Sequence, residues 1–230
     1  MHGRNPLRPQ EPGDGRQLWV QEVFYTLQGE GPFSGQPAVF VRLAGCNLNC
    51  WFCDTEFESS LWKPTLEELI ETIGAEQGKA DLVVITGGEP FRQNIGPLVE
   101  ALLARGLRVQ IETNGTLWID LPEDDRLFIV CSPKTERLNK NLRQRISAYK
   151  YLIAASVAAD GDGPGSVGHR YVGMNGQNVA EPEPGVPVYV MPLDEGGAEA
   201  NQANLKACCE LALSSGYFLT VQTHKILGIR

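Results

Sequence analysis

Gly45-Cys46-Asn47-Leu48-Asn49-Cys50-Trp51-Phe52-Cys53-Asp54-Thr55 holds three cysteines, with three and then two residues between them. Thiolates that close in sequence can ligate a metal centre without help from distant segments. Three is also one short of the closed four-ligand set of a structural zinc or a fully protein-ligated iron–sulfur cluster. On a cubane the remaining iron would stay open to a ligand from solution, and an open coordination position is where chemistry happens.

Working outward, the segment ahead of the loop reads as two strands. Leu18–Phe24 is the first, and it runs into the turn Tyr25-Thr26-Leu27-Gln28-Gly29-Glu30-Gly31-Pro32. Glycine and proline there permit close backbone approach, while Gln28 and Glu30 offer amide and carboxylate groups. Ala38–Leu43 is apolar except for Arg42, four residues before Cys46. An arginine so placed is either a core-edge ion pair or a fork for a bound carboxylate. Residues 1–17 are rich in Pro, Gly and Arg without apolar periodicity, and are expected to be a mobile tail or an arm lying on the body.

Behind the loop, strands and helices alternate. Thr65-Leu66-Glu67-Glu68 is a capping box, and Leu66, Leu69, Ile70 and Ile73 follow at helical spacing. Leu82–Thr86 is a continuous apolar strand of the kind buried in parallel sheets, and it ends in Gly87-Gly88-Glu89-Pro90. Asn94 is expected to cap a helix carrying Ile95, Leu98, Val99, Leu102 and Leu103, closed by Gly106. Strands are expected at Arg108–Thr113, Leu127–Cys131, Ala148–Ile153, Val186–Met191 and Tyr217–Gln222, followed by a short tail, Thr223–Arg230. Leu205, Cys208, Cys209, Ala212 and Leu213 are expected on the buried face of a last helix, so Cys208 and Cys209, like Cys131, read as core residues rather than ligands. The Arg-rich stretch 137–145 reads as a solvated face.

This alternation predicts parallel strands with helical crossovers, and ligands at the carboxyl ends of the strands. About six such strands predict a partial, open (β/α)6 barrel. Residues 18–230 would form one catalytic domain, with a loop insertion at about 155–185 where Gly, Pro, Asp and Asn dominate. A chain of 230 residues can bury roughly 70 to 75% of its unfolded surface. A net charge of −8 argues against a nucleic-acid binder, and no apolar run is long enough to span a membrane. Six cysteines without a secretory leader fit a reduced cytoplasm.

Cys46, Cys50, Phe52 and Cys53, followed after the next strand by Gly87-Gly88-Glu89-Pro90, resemble the radical S-adenosylmethionine superfamily. Within it, Phe24–Gly31, Phe40–Leu48 and Cys53-Asp54-Thr55 resemble the 7-carboxy-7-deazaguanine synthases of queuosine-precursor biosynthesis, from about Leu18 to the C-terminus. The resemblance implies a [4Fe–4S] cluster on Cys46, Cys50 and Cys53, with S-adenosylmethionine chelating the fourth iron. Reductive cleavage would give a 5′-deoxyadenosyl radical, which takes a hydrogen from 6-carboxy-5,6,7,8-tetrahydropterin. The ring then contracts with loss of ammonia, and the adenosylmethionine is regenerated.

Carried onto this chain, the family's substrate contacts fall on Leu27, Gln28, Gly29, Arg42 and Thr86, with the carboxylate of Arg230 a further candidate. Its adenosylmethionine contacts fall on Phe52, Cys53, Asp54, Gly88, Ser132, Pro133 and Lys134, extended to Met191, Pro192, Leu193 and Asp194. Thr55 matches its Mg²⁺ position, where a hard cation would take an oxygen ligand. A homodimer and an electron donor such as flavodoxin or ferredoxin are implied as partners. Two other readings stay open at this stage: a glycyl-radical-enzyme activase, and a non-catalytic module with zinc or an iron–sulfur centre on the three cysteines.

Overall fold

The computed structural model describes residues 5–157 and 171–230. Eight strands form one sheet in chain order: β1 (Val20–Leu27), β2 (Pro37–Leu43), β3 (Leu82–Gly87), β4 (Arg108–Thr113), β5 (Leu127–Cys131), β6 (Ala148–Ile153), β7 (Val188–Pro192) and β8 (Phe218–Leu219). β1 is antiparallel to β2, and every later neighbour is parallel. β2 to β7 are therefore the six parallel strands expected, with one strand added at each edge. The helices are α1 (Leu66–Glu76), α2 (Gly96–Ala104), α3 (Lys140–Arg143), α4 (Ala198–Ser215) and α5 (Thr223–Leu227).

Strand alternation divides each strand between two tasks. In register across β2, β3 and β4, Val39, Val83 and Val109 form one row and Val41, Ile85 and Ile111 the next. These pack against Leu69, Ile70 and Ile73 of α1 and Leu98, Val99 and Leu102 of α2 in the main core. The intervening residues form the other face: Phe40 beside Val84 and Gln110, then Arg42 beside Thr86, with Glu112 further along β4 and Lys150 on β6. One face is thus a helix-covered core, and the other turns from a small apolar cluster of Ala38, Leu82 and Val84 to charged and polar residues toward the carboxyl ends of the strands.

The sheet curls without closing. β1 and β8 share no ladder, but the chain beyond β8 returns to the β1–β2 turn: the Thr223 amide donates to the Gly29 carbonyl at 3.1 Å, and the Gly31 amide donates to Thr220 Oγ1 at 2.9 Å. A Cβ on Gly29 would lie 2.3 Å from His224 Nδ1, so glycine there is what lets the two segments meet. The result is a partial, open barrel.

α1 begins with the expected capping box, Thr65 and Glu68 each accepting from the other's backbone amide. α2 starts one residue later than expected, at Gly96. Asn94 instead accepts from the Gly96 amide at 3.2 Å in a turn ahead of the helix, and Pro97 occupies its first turn.

Four expectations are corrected. β1 extends to Leu27 because its pairing with β2 continues to Pro37, so the turn starts three residues late. β8 is only two residues long: the Thr220 amide still donates to Val190 of β7 at 3.0 Å, while its hydroxyl meets the β1–β2 turn and pairing ends there. The segment after it is a helix, α5, ended by Gly228 in a left-handed conformation. On α4 the buried side is Asn204, Ala207, Cys208 and Leu211, whereas Leu213 is 88% exposed. Five residues of helix separate Leu213 from Cys208, which rotates it off that side. Cys131 and Cys208 are buried, and Cys209 is only half-buried.

Of the insertion, residues 158–170 lie outside the described part. Beyond them Tyr171 bridges to Ile153 and stacks on Tyr151 with ring centroids 4.1 Å apart, so the chain rejoins the core at β6. The N-terminal segment from Asn5 lies across the body, with bridges from Leu7 to Cys46 and from Gln17 to Thr65.

Candidate active site

At the carboxyl ends of the parallel strands, the cysteine loop and the C-terminal segment enclose a cavity of about 470 Å³. Its base includes the stacked rings of Phe24 and Phe40, 5.3 Å apart. Cys46, Cys50, Phe52, Cys53, Asp54 and Thr55 line it from the loop, and Thr86 and Gly88 from the end of β3. Leu27, Gln28, Gly29, Arg42, Ser132, Lys134, Met191, Leu193, Asp194 and Arg230 complete the residues expected there. Pro133 and Pro192 do not line it: Pro133 is buried within its turn and Pro192 ends β7.

Burial pushes the Cys46 thiol up to about 12 and the Cys50 thiol up to about 11, and raises Cys53 as well. A metal centre would have to displace these protons to gain thiolate ligands. The three thiols interact electrostatically with one another, yet among the described residues no three Cys, His, Asp or Glu side chains converge closely enough to hold a single metal ion. On a polynuclear cluster each of the three thiolates would take its own iron.

The Gly87-Gly88 turn is shaped by the same loop. Gly87 has φ +132°, and a Cβ on it would lie 2.1 Å from the Leu43 carbonyl oxygen; one on Gly88 would lie 2.2 Å from that of Gly45. Only glycine lets this turn pass so close beneath the cysteines. Glu89, in the same turn, is fully buried and accepts from the Phe91 and Asn114 amides and from Thr113 Oγ1 at 2.7–3.0 Å. It therefore clasps the end of β3 to the end of β4. Burial pushes its carboxyl from the ordinary 4.5 up to about 7. The native state keeps this proton where the unfolded chain has lost it, so the stability tied to Glu89 falls as pH rises from about 4.5 through about 7. Denaturant titrations across that range should show the decline in the native protein and a flatter profile in Glu89→Gln.

The remaining groups are mostly charged. Glu22 accepts from Arg42 Nε at 2.8 Å and pairs with the Arg230 guanidinium, and both arginines lie over the Phe24 ring. Two guanidiniums thus share one carboxylate. Lys150, 5% exposed, bridges Glu30 at 2.5 Å and Glu112 at 3.1 Å, and Gln28 donates to Glu112 at 3.1 Å. Burial opposes the charge on Lys150 and on Glu30, but the pairing wins: the ammonium is held above its usual range and Glu30 below its own.

Lys134 donates to Ser132 Oγ at 2.8 Å and lies 5.6 Å from the centre of the Phe52 ring. Burial brings its ammonium down to about 8. Thr55 Oγ1 donates to Asp54 at 3.2 Å, and Lys225 bridges Asp54 and Asp194 at 3.1 and 2.8 Å. The main-chain oxygen of Arg230 accepts from Thr26 Oγ1 at 2.6 Å, which ties the C-terminal residue to the rim.

Glu22, Glu112, Lys150, Gln222, His224 and Lys225 also line the cavity and were not selected from sequence. A signal for one of them was present: Lys150 interrupts an otherwise apolar strand, as Arg42 does. Glu22 and the residues of α5 carried no comparable signal, because their place depends on how the sheet curls.

The description "Radical SAM superfamily" belongs to the family model that matches residues 41–184. A Rhodospirillum rubrum protein described as 7-carboxy-7-deazaguanine synthase is 58% identical over 235 residues, covering 100% of both chains. A protein of the same description from Rickettsia prowazekii is 41% identical over 240 residues, covering 100% of this chain and 96% of its own. The crystal structure of QueE from Escherichia coli shares the fold, with a TM-score of 0.65 at 24% identity, over 90% of this chain and 95% of that one.

Proposed function

We propose the reaction of this chain from its membership: it belongs to the radical SAM superfamily and, within it, to the 7-carboxy-7-deazaguanine synthases. It converts 6-carboxy-5,6,7,8-tetrahydropterin to 7-carboxy-7-deazaguanine with loss of ammonia, using a [4Fe–4S] cluster, S-adenosylmethionine and Mg²⁺. The observation that carries this reading is one cavity holding three mutually interacting thiols and, on an adjacent wall, a cationic pair of arginines.

Cys46, Cys50 and Cys53 would hold the cluster. Bound there, cluster and adenosylmethionine supply the 5′-deoxyadenosyl radical by one-electron cleavage of the sulfonium. Gly88, Phe52 to Asp54, Ser132 to Lys134 and Met191 to Asp194 form the wall on the adenosylmethionine side. Pro133 and Pro192 act there by stiffening their turns rather than by contact. Thr55, with Asp54 beside it, gives a hard cation oxygen donors.

Leu27, Gln28, Gly29, Arg42 and Thr86 form the substrate side. Arg42 engages Glu22 through Nε, and the rest of its fork at the cavity would take a substrate carboxylate. Gln28, Glu112 and Lys150 present an amide, a carboxylate and an ammonium, the donor and acceptor types that a pterin's amino and amide edge requires. The C-terminal residue closes the rim from above.

Arg42→Met should lower kcat/KM for the pterin by about 10²- to 10³-fold, the cost of truncating one partner of a hydrogen-bonded charge pair, mostly through KM. Arg42→Lys should recover part of the loss, and an unchanged KM in both variants would remove Arg42 from the substrate site. For the reaction itself, anaerobic incubation with the pterin, a reductant and adenosylmethionine, followed by mass spectrometry, should give the deazapurine without net loss of adenosylmethionine. Stoichiometric 5′-deoxyadenosine without deazapurine would refute it.

A homodimer is supported by the run of exposed apolar side chains Phe218, Leu219, Ile226 and Leu227 along β8 and α5. A flavodoxin or ferredoxin would supply the electron. No helix among the described residues is long and apolar enough to cross a membrane, and the free cysteines suit a reducing cytoplasm.

A further inference from the structure

From Leu43 to Cys46 the chain leaves β2 and enters the cysteine loop, and each of its four carbonyl groups accepts a hydrogen bond. Leu43 accepts from the Gly88 amide at 3.2 Å and Gly45 from the Glu89 amide at 3.0 Å, both from the turn after β3. Ala44 accepts from Arg92 Nη2 at 3.0 Å. Cys46 accepts from the Arg8 amide at 2.7 Å, in the N-terminal segment. At the far end of the loop, the Asn5 side chain donates to the Thr55 carbonyl at 3.2 Å. The N-terminal segment therefore grips the loop at both ends.

Arg92 joins these anchors. It is 3% exposed, and its guanidinium lies directly under Gly45, where a Cβ would be 2.5 Å from Nε. Nη1 donates to Glu11 Oε1 at 2.7 Å and to the Pro9 carbonyl at 3.3 Å, and the Glu11 amide returns a bond to the Arg92 carbonyl at 2.7 Å. Among the described residues, Glu11 is the one carboxylate paired with this buried charge. A buried guanidinium needs such a partner. The catalytic reading gives none of these residues a task.

We infer that residues 5–11 are a strap that completes the cluster cradle, and that Arg92 is the positioning residue through which Glu11 holds the first cysteine in place. This rests on Cys46, Cys50 and Cys53 being the cluster ligands. The strap acts through Arg92 on the carbonyl of Ala44, two residues ahead of Cys46, and through Arg8 on the carbonyl of Cys46 itself. Losing it should loosen the loop while leaving the sheet and its helix-packed core intact.

The test compares the full chain, Glu11→Gln, Arg92→Lys and a chain lacking residues 1–11, each reconstituted anaerobically. Three readings are taken: iron released to a chelator over time, amide exchange at Gly45 and Cys46, and KM for adenosylmethionine separately from kcat. Glu11→Gln and the truncated chain should release iron roughly tenfold faster and exchange those amides correspondingly faster, as expected when a charge-assisted hydrogen bond is lost. KM should rise more than kcat falls, and amides of β3 and β4 should exchange as before. Arg92→Lys, which keeps the charge but cannot reach Ala44 and Glu11 together, should fall in between.

Iron release and loop exchange equal to the full chain in both Glu11→Gln and the truncated chain would overturn the inference. So would faster exchange spread evenly over the sheet, which marks general destabilisation. A full chain that takes up no cluster would instead refute the ligand assignment on which the inference rests, and the two failures are thereby told apart.

Discussion

Cys50→Ala is expected to strip the reconstituted protein of its iron–sulfur absorption and to drop turnover to the uncatalysed background, a loss of at least about 10⁶-fold. No neighbouring group can substitute, because each of the three thiols would hold its own iron and the remaining corner is needed by adenosylmethionine. The fold should survive. Cys50 is half-buried and packs at the edge of a small cluster formed by Phe52, Ala154, Val172 and Leu193, away from the main core. The discriminating comparison is Cys131→Ser. Cys131 is fully buried at the end of β5, within the main core, so that variant should lose stability and keep its iron. Iron retained by Cys50→Ala, or lost from Cys131→Ser that remains folded, would show that the wrong cysteines have been assigned.

The second large effect is expected at Lys150. In Lys150→Met, the half-buried Glu30 and Glu112 would face each other inside the barrel without their shared cation, and removing one partner from such a group typically costs about 3–5 kcal/mol. For a domain of this size that corresponds to a fall in Tm of roughly 6–20 °C. The pH dependence should also change sign. In the native protein Lys150 holds the Glu30 carboxyl below its ordinary 4.5, so this contribution to stability is present above that pH and is lost as pH falls through the lower native value. Without the ammonium, burial raises the Glu30 carboxyl instead, so the variant should gain stability on acidification from pH 7. A Lys150→Met protein as stable as the native one at pH 7 would mean that the bridge does not form.

Local signals survived the passage from sequence to structure best. The capping box at Thr65 and Glu68 and the all-apolar run at Leu82–Ile85 each depend on residues within one turn or one strand, and each does locally what its pattern implies. What could not be read in advance depends on the curl of the sheet. The return of α5 to Gly29 places Gln222, His224 and Lys225 on the cavity, and no periodicity in Thr223–Arg230 announces it. Leu213 shows a different limit: a short apolar run at the end of α4 read as buried, although a helix commits only one side to the core.

The glycines of Gly87-Gly88 were legible as a motif but not in their physical cause. The contact that demands them is with the backbone of Leu43 and Gly45. Glu89 likewise belongs to a familiar motif, yet its three accepted hydrogen bonds make it a clasp between β3 and β4. Arg42, Glu112 and Lys150 share a lesson in the other direction. A charged residue at the inward phase of a strand's alternation marks the inside of this barrel.

The most direct measurement is electron paramagnetic resonance of the anaerobically reconstituted, reduced protein, recorded before and after S-adenosylmethionine is added, alongside iron and sulfide analysis. A [4Fe–4S] signal that shifts on addition of the sulfonium, and that is absent from Cys50→Ala, is the expected result. One zinc without a charge-transfer band, or a cluster signal that adenosylmethionine leaves unchanged, would contradict the reading of Cys46, Cys50 and Cys53 as the seat of catalysis.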